Sequence, residues 1–143
     1  MKQIQGQSLV EVVIAIALIS VILISLVGLA SLSIRASAFS RNQTEAQRYT
    51  QQSAEWLRSE KDASWTTFKA NAAAGTYCLN TGNNWGSGGS CASGSTISGT
   101  IFTRSVKFTN NADGTIEADV STSWLDAQGT HIEPTSIIFA DFK

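Results

Sequence analysis

Residues 12–32 run for 21 positions without a charge or a proline, and Glu11 stands at their threshold. A run of that length constrains folding more than anything else in the chain. Hydrocarbon offers no water to backbone amides, so a segment of this kind must bond internally as a helix. Residues 9–32 make 24 positions, and at 1.5 Å per residue they would reach about 36 Å, enough to span a bilayer core. An ionised carboxylate in that setting is costly unless it finds a partner, which makes Glu11 the first candidate functional residue. Ser20, Ser25, Gly28, Ala30 and Ser31 break up the aliphatics with small side chains. Small residues permit close helix approach in an apolar medium, and they are equally at home in any membrane helix.

No glycine or proline occurs between Gly28 and Gly75, so the helix has no reason to stop at a membrane surface. Beyond Ser33 the composition turns polar. Phe39, Ala46, Tyr49, Ser53 and the pair Trp56-Leu57 then recur at helical spacing and mark one narrow apolar face. The spacing predicts one rod ending near Asp62, about 55 residues long, apolar over 7–32 and amphipathic over 33–62. Residues 63–143 remain for a head, small but able to bury a modest core. Ser64 is placed to cap a short second helix that Gly75 would stop.

Residues 76–100 are rich in Gly, Ser and Asn and read as a loop. Cys78 and Cys91 lie in it with twelve residues between them. A disulfide that closes this surface loop fits an oxidising compartment, while two reduced thiols would fit a cytosolic protein. Neither cysteine belongs to a C-x-x-C pair, and His131 is distant, so the pattern supplies no zinc site. The last 44 residues are β-patterned over 100–110, 115–125 and 131–142. Asn111-Ala112-Asp113-Gly114 and Ala127-Gln128-Gly129 supply turns, and Pro134 marks an edge or a strand start. A meander with one apolar face needs a cover, and the amphipathic half of the helix is available. The fold class expected is α+β: a long N-terminal helix packed on an antiparallel sheet of about three strands.

The formal charge is −1 and no basic block appears, so bulk electrostatics predict no nucleic-acid partner. No nucleophile elbow, phosphate loop or cysteine–histidine pairing is present, and we expect no catalysis, cofactor or metal. Asp113-Gly114 reads as a turn rather than a calcium loop. His131 reads as an exposed strand residue. Tyr77 and Trp85 could meet a ligand but more simply pack under the loop, and Trp56, Trp65 and Trp124 read as core.

The opening MKQIQGQSLVE, followed by the uncharged run, resembles the N-terminal signal of type IV pilins and of the pseudopilins of type II secretion. The plan of helix, loop and meander is similar over the whole chain, although motif content is confined to residues 1–32. The resemblance implies that residues 1–6 are a leader, cut by a prepilin peptidase between Gly6 and Gln7, with methylation of the new Gln7 amine. It implies that Glu11, fifth in the mature chain, pairs with the amine of a neighbouring subunit during assembly, when the helix leaves membrane lipid for a filament. Further implied partners are other pilin or pseudopilin subunits and an inner-membrane assembly platform. The head would be extracytoplasmic, with the filament in the periplasm or at the cell surface. Segments 51–58 and 120–126 look like those of PilV-like minor pilins and GspI-like pseudopilins.

The sequence departs from the family at two points. Gln7 stands where phenylalanine or methionine is usual, and Gly28 stands about where major pilins carry a helix-breaking proline. Lys2 precedes the helix while Arg35, Arg41 and Arg48 follow it, a distribution that by the positive-inside rule would leave the head in the cytoplasm. The leader and the cysteines argue for the outside. Two rivals follow: an uncleaved helix that tethers a binding module, and a secreted protein cut after Ala36-Ser37-Ala38.

Overall fold

A computed structural model describes residues 5–141, with side chains from residue 9 onward. The chain divides into two compact units, one up to Arg41 and one from Asn42. The order of elements is α1 (Gln5–Ala63), α2 (Trp65–Ala72), β1 (Thr76–Cys78), β2 (Phe102–Asn110), β3 (Ile116–Asp126) and β4 (Gly129–Phe139).

The first unit consists of the N-terminal part of α1, whose aliphatic side chains face outward. The helix is long and apolar enough to cross a membrane, and none of its apolar stretch is buried. Gly28 does not interrupt the helix, and no atom of the chain lies within 4 Å of where its Cβ would be. The serine hydroxyls need no outside partner. Ser20 donates to the Ile16 carbonyl at 2.8 Å, Ser25 to Val21 at 2.8 Å and Ser31 to Val27 at 3.0 Å. Each bond folds a polar group back onto its own helix, as an apolar surrounding requires.

The second unit packs the remainder of α1 on a four-stranded antiparallel sheet of order β1-β2-β3-β4. Ala46, Thr50, Ser53, Ala54 and Leu57 are the buried face of α1. Tyr49 and Trp56 are half-buried beside them, whereas Phe39, expected on the same face, belongs to the first unit and keeps 39 % of its surface exposed. β3 alternates: Ile116, Ala118, Val120, Thr122 and Trp124 are buried. The main core joins Leu57, Phe68, Ala72, Tyr77, Leu79, Val106, Phe108, Ile116, Val120 and Phe139.

Two features differ from the sequence reading. A fourth strand, β1, lies inside the segment 76–100 that the composition marks as loop, paired with β2 through Tyr77↔Val106. Three residues are too few to show a period, and its burial comes from Tyr77, whose hydroxyl donates to the Asn71 carbonyl at 2.8 Å. The last strand begins at Gly129 rather than 131, which places Pro134 mid-strand opposite Ser121. β4 is an edge strand, so Pro134 can sit there without disrupting the sheet. Ser64 caps α2 as expected: its backbone is extended (φ −164°) and its hydroxyl accepts the Thr67 N–H at 3.3 Å. Gly75, at φ +87°, turns the chain from α2 into β1, a conformation that favours glycine.

Candidate functional site

Two regions bear on function, and each is described by itself. The first is the start of α1. Glu11 lies on an exposed surface between Val10 and Val12, which are 57 % and 54 % exposed. It makes no salt bridge among the described residues. The helix can therefore present this carboxylate to another molecule, and an apolar surrounding would strongly favour a cationic partner. Gly6 and Gln7, the expected cleavage pair, fall in α1 but outside the residues whose side chains are described. Of the rest of the leader, residues 1–4 lie outside the described residues altogether.

The second region is the disulfide-tethered face of the head. Cys78 and Cys91 are bonded to each other, with Cα atoms 4.8 Å apart. The closed segment is ordered by further ties. Cys78 N–H donates to the Ser87 carbonyl at 3.0 Å and Gly89 N–H to Thr76 at 2.7 Å, so the segment pairs with β1. Trp85 enters the core edge, with ring centroids 4.8 Å from Trp56 and 5.1 Å from Tyr77, and its indole N–H donates to Glu60 at 2.7 Å. Ser53 donates to the Asn83 side-chain carbonyl at 2.8 Å, which fastens the same segment to α1. Tyr77 and Trp85 thus serve packing. Burial raises the pKa of the Tyr77 hydroxyl and keeps it neutral.

Arg104 is the residue whose role sequence reasoning missed; it is the one charge among the buried positions of β2, beside Phe102, Val106 and Phe108. It is 5 % exposed and has no acidic partner among the described residues. Its guanidinium donates to the Leu79 carbonyl at 2.9 Å and the Tyr49 carbonyl at 3.4 Å and lies 5.8 Å from the Tyr49 ring centre. Its Nε is buried without a partner. Desolvation lowers its pKa, but an arginine so placed remains a cation. The neighbouring Asn80 accepts the Arg104 backbone N–H at 2.7 Å and donates to the Ser95 carbonyl at 2.9 Å.

His131, expected as an exposed strand residue, is half-buried. Its Nε2 lies 2.9 Å from an Asp126 carboxylate oxygen, and its ring stacks on Trp124 at 5.0 Å. Desolvation would raise the Asp126 pKa, but hydrogen bonds from His131 and the Gln128 N–H outweigh it and leave it lowered. Asp113 accepts from the Thr115 hydroxyl at 2.7 Å and the Thr115 N–H at 2.9 Å, which lowers its pKa as well. Both arrangements fasten hairpin turns. Among the described residues, no three His, Cys, Asp or Glu side chains gather as a metal site would need.

The comparisons with known proteins bear on the first region only. Residues 1–27 match the prokaryotic N-terminal methylation motif. The match spans Glu11 and the apolar run as far as Val27, and it makes the chain type IV pilin-like at its N-terminus. No curated protein and no solved structure matches the chain. The second unit, from Asn42, is therefore described by its own geometry alone.

Proposed function

We propose that this chain is a non-catalytic filament subunit, a minor pilin or pseudopilin assembled through α1. The methylation motif that includes Glu11, followed by an apolar helix long enough to span a membrane, is the observation that carries this reading. Before assembly, α1 holds the subunit in lipid. A prepilin peptidase cuts between Gly6 and Gln7 and the new Gln7 amine is methylated. The Glu11 carboxylate then pairs with the corresponding amine of a neighbouring subunit, which removes the cost of an isolated charge in hydrocarbon. An inner-membrane platform would extract the subunit, and the surface that faced lipid would pack the filament interior. The Cys78–Cys91 disulfide supports an extracytoplasmic head.

Intact-mass and N-terminal analysis of the protein from native membranes or sheared filaments tests the first step. A chain that starts at methylated Gln7 is expected. An uncut start would replace the filament subunit with a tethered module, and a start at Phe39 would make it a secreted protein. Glu11→Ala tests the second step: the variant should reach the membrane and be processed, yet be absent from filaments. Undiminished incorporation would refute the pairing.

A further inference from the structure

The buried polar residues of the head form a layer. Thr50, Ser53, Asn80, Arg104 and Thr122 are each at most 7 % exposed, and they come from α1, the segment after β1, β2 and β3. The strand register aligns them: Arg104 is opposite Thr122, and Thr122 is opposite Glu133. Thr50 of α1 reaches the same level, with its hydroxyl 2.8 Å from the Thr122 hydroxyl and 3.2 Å from the Glu133 carbonyl.

Apolar packing is separate on the two sides. On one side Ala46, Phe102 and Trp124 form a small cluster, with Tyr49 and Ile97 against it. On the other lies the main core around Leu57, Val106 and Val120. Every element changes character in step: Ala46, Thr50, Leu57 along α1; Phe102, Arg104, Val106 along β2; Trp124, Thr122, Val120 along β3. Across the layer, contact depends on hydrogen bonds, and one of its members is a buried cation with an unpartnered nitrogen. Water can replace such bonds when the layer opens, whereas nothing replaces lost apolar packing.

We propose that the head consists of two cooperative units stacked on this polar layer, and that the smaller unit opens while the larger stays folded. Opening releases Ala46 and Tyr49 of α1 from the strand ends, whereas Leu57 remains docked in the main core. The head thereby gains a second way of holding α1 without unfolding. The proposal concerns the head alone and stands whether or not the chain forms filaments.

Native-state hydrogen exchange on the full chain in detergent micelles, read by mass spectrometry along a urea series, tests this. Amides of residues 122–133 should exchange at least about tenfold faster than those of 116–120 and 106–108, with a shallower urea dependence, as sub-global opening exposes less surface. Simple fraying at the β3–β4 turn could also give faster exchange, and a variant separates the two. The pair Thr50→Val and Thr122→Val joins the clusters with apolar contact, so the fast class should slow to the rate of the main core. Thr122→Ser keeps the hydroxyl and should keep the fast class; if the valine pair does not fold, the single change Thr50→Val, which alters the layer from α1 and leaves the β3–β4 turn untouched, is read in its place. A single exchange class in the unaltered protein would overturn the proposal. So would a fast class unmoved by the valine pair, or one abolished by Thr122→Ser.

Discussion

Arg104 shows how a residue that breaks the pattern of its strand can be held without a counter-ion. Its guanidinium rests on the carbonyls of Leu79 and Tyr49 and against the Tyr49 ring. Deleting one member of a buried ion pair orphans the other charge, and that is what makes such deletions severe. Here no carboxylate would be orphaned. Arg104→Met therefore removes a desolvated cation along with its bonds, and we expect stability within about 1.5 kcal/mol of the native chain. Arg104→Ala leaves a cavity as well and should lose about 3 kcal/mol. Urea denaturation of both variants checks the contrast; equal losses would mean that the carbonyl contacts dominate. The anomaly was visible in the sequence, but its partners were not, because Tyr49 and Leu79 lie 55 and 25 residues away. Asp113 gives a pH prediction of the opposite kind. Its folded pKa is lowered, so the stability it lends the β2–β3 turn is present above the ordinary carboxylate range and lost as pH falls through the lowered value. An NMR titration of its carboxyl should show a pKa below that of an unstructured peptide, and Thr115→Val should return it upward.

At the scale of elements, α1 was the most legible part of the chain, because its length and apolar run need no tertiary information. Its buried face was only partly legible. Thr50 and Ala54 belong to it, but a threonine and an alanine carry little hydrophobic signal, and the partner of Thr50 lies 72 residues away in β3. The end of α1 was readable for a local reason, since Ser64 both breaks the rod and caps α2. Ser64→Ala should cost about 1 kcal/mol, with Thr67 N–H left unpaired. Loss of far-UV helical signal ahead of global unfolding would show it. Gly28 is a sharper case. A Cβ there meets nothing, and the helix is unbroken, so within one molecule Gly28→Ala should stabilise α1 by roughly 1 kcal/mol. Amide exchange around residue 28 in micelles should slow accordingly. If filament incorporation falls while the helix gains stability, the glycine serves close packing or local melting in the assembly rather than the fold of the subunit.

For the whole molecule, the question is what keeps a head of about 100 residues folded around a core divided by a polar layer. The Cys78–Cys91 bridge, with a sequence separation of 13, closes a loop whose chain-entropy effect is about 3 kcal/mol. That is a large part of the stability of a small domain. The closed segment is not held by the bridge alone, however. It pairs with β1 through Cys78 and Gly89, and Trp85 sits among Trp56, Phe68, Tyr77 and Phe108. None of these contacts needs the sulfur–sulfur bond to form. The bridge should therefore act mainly on the unfolded chain, and the double change Cys78→Ser with Cys91→Ser should lower unfolding free energy by about 2–4 kcal/mol while the fold persists. Near-UV circular dichroism reports the packing of the tryptophans, and urea denaturation of the same sample reports the loss. A retained near-UV signal with a lowered midpoint is the expected pair of results. Loss of that signal in water would mean that the bond itself positions Trp85 and the loop. In that case the sequence signal that mattered most for the head was the cysteine pair, and the aromatic cluster, assembled from α1, α2, β1 and β2, follows from it.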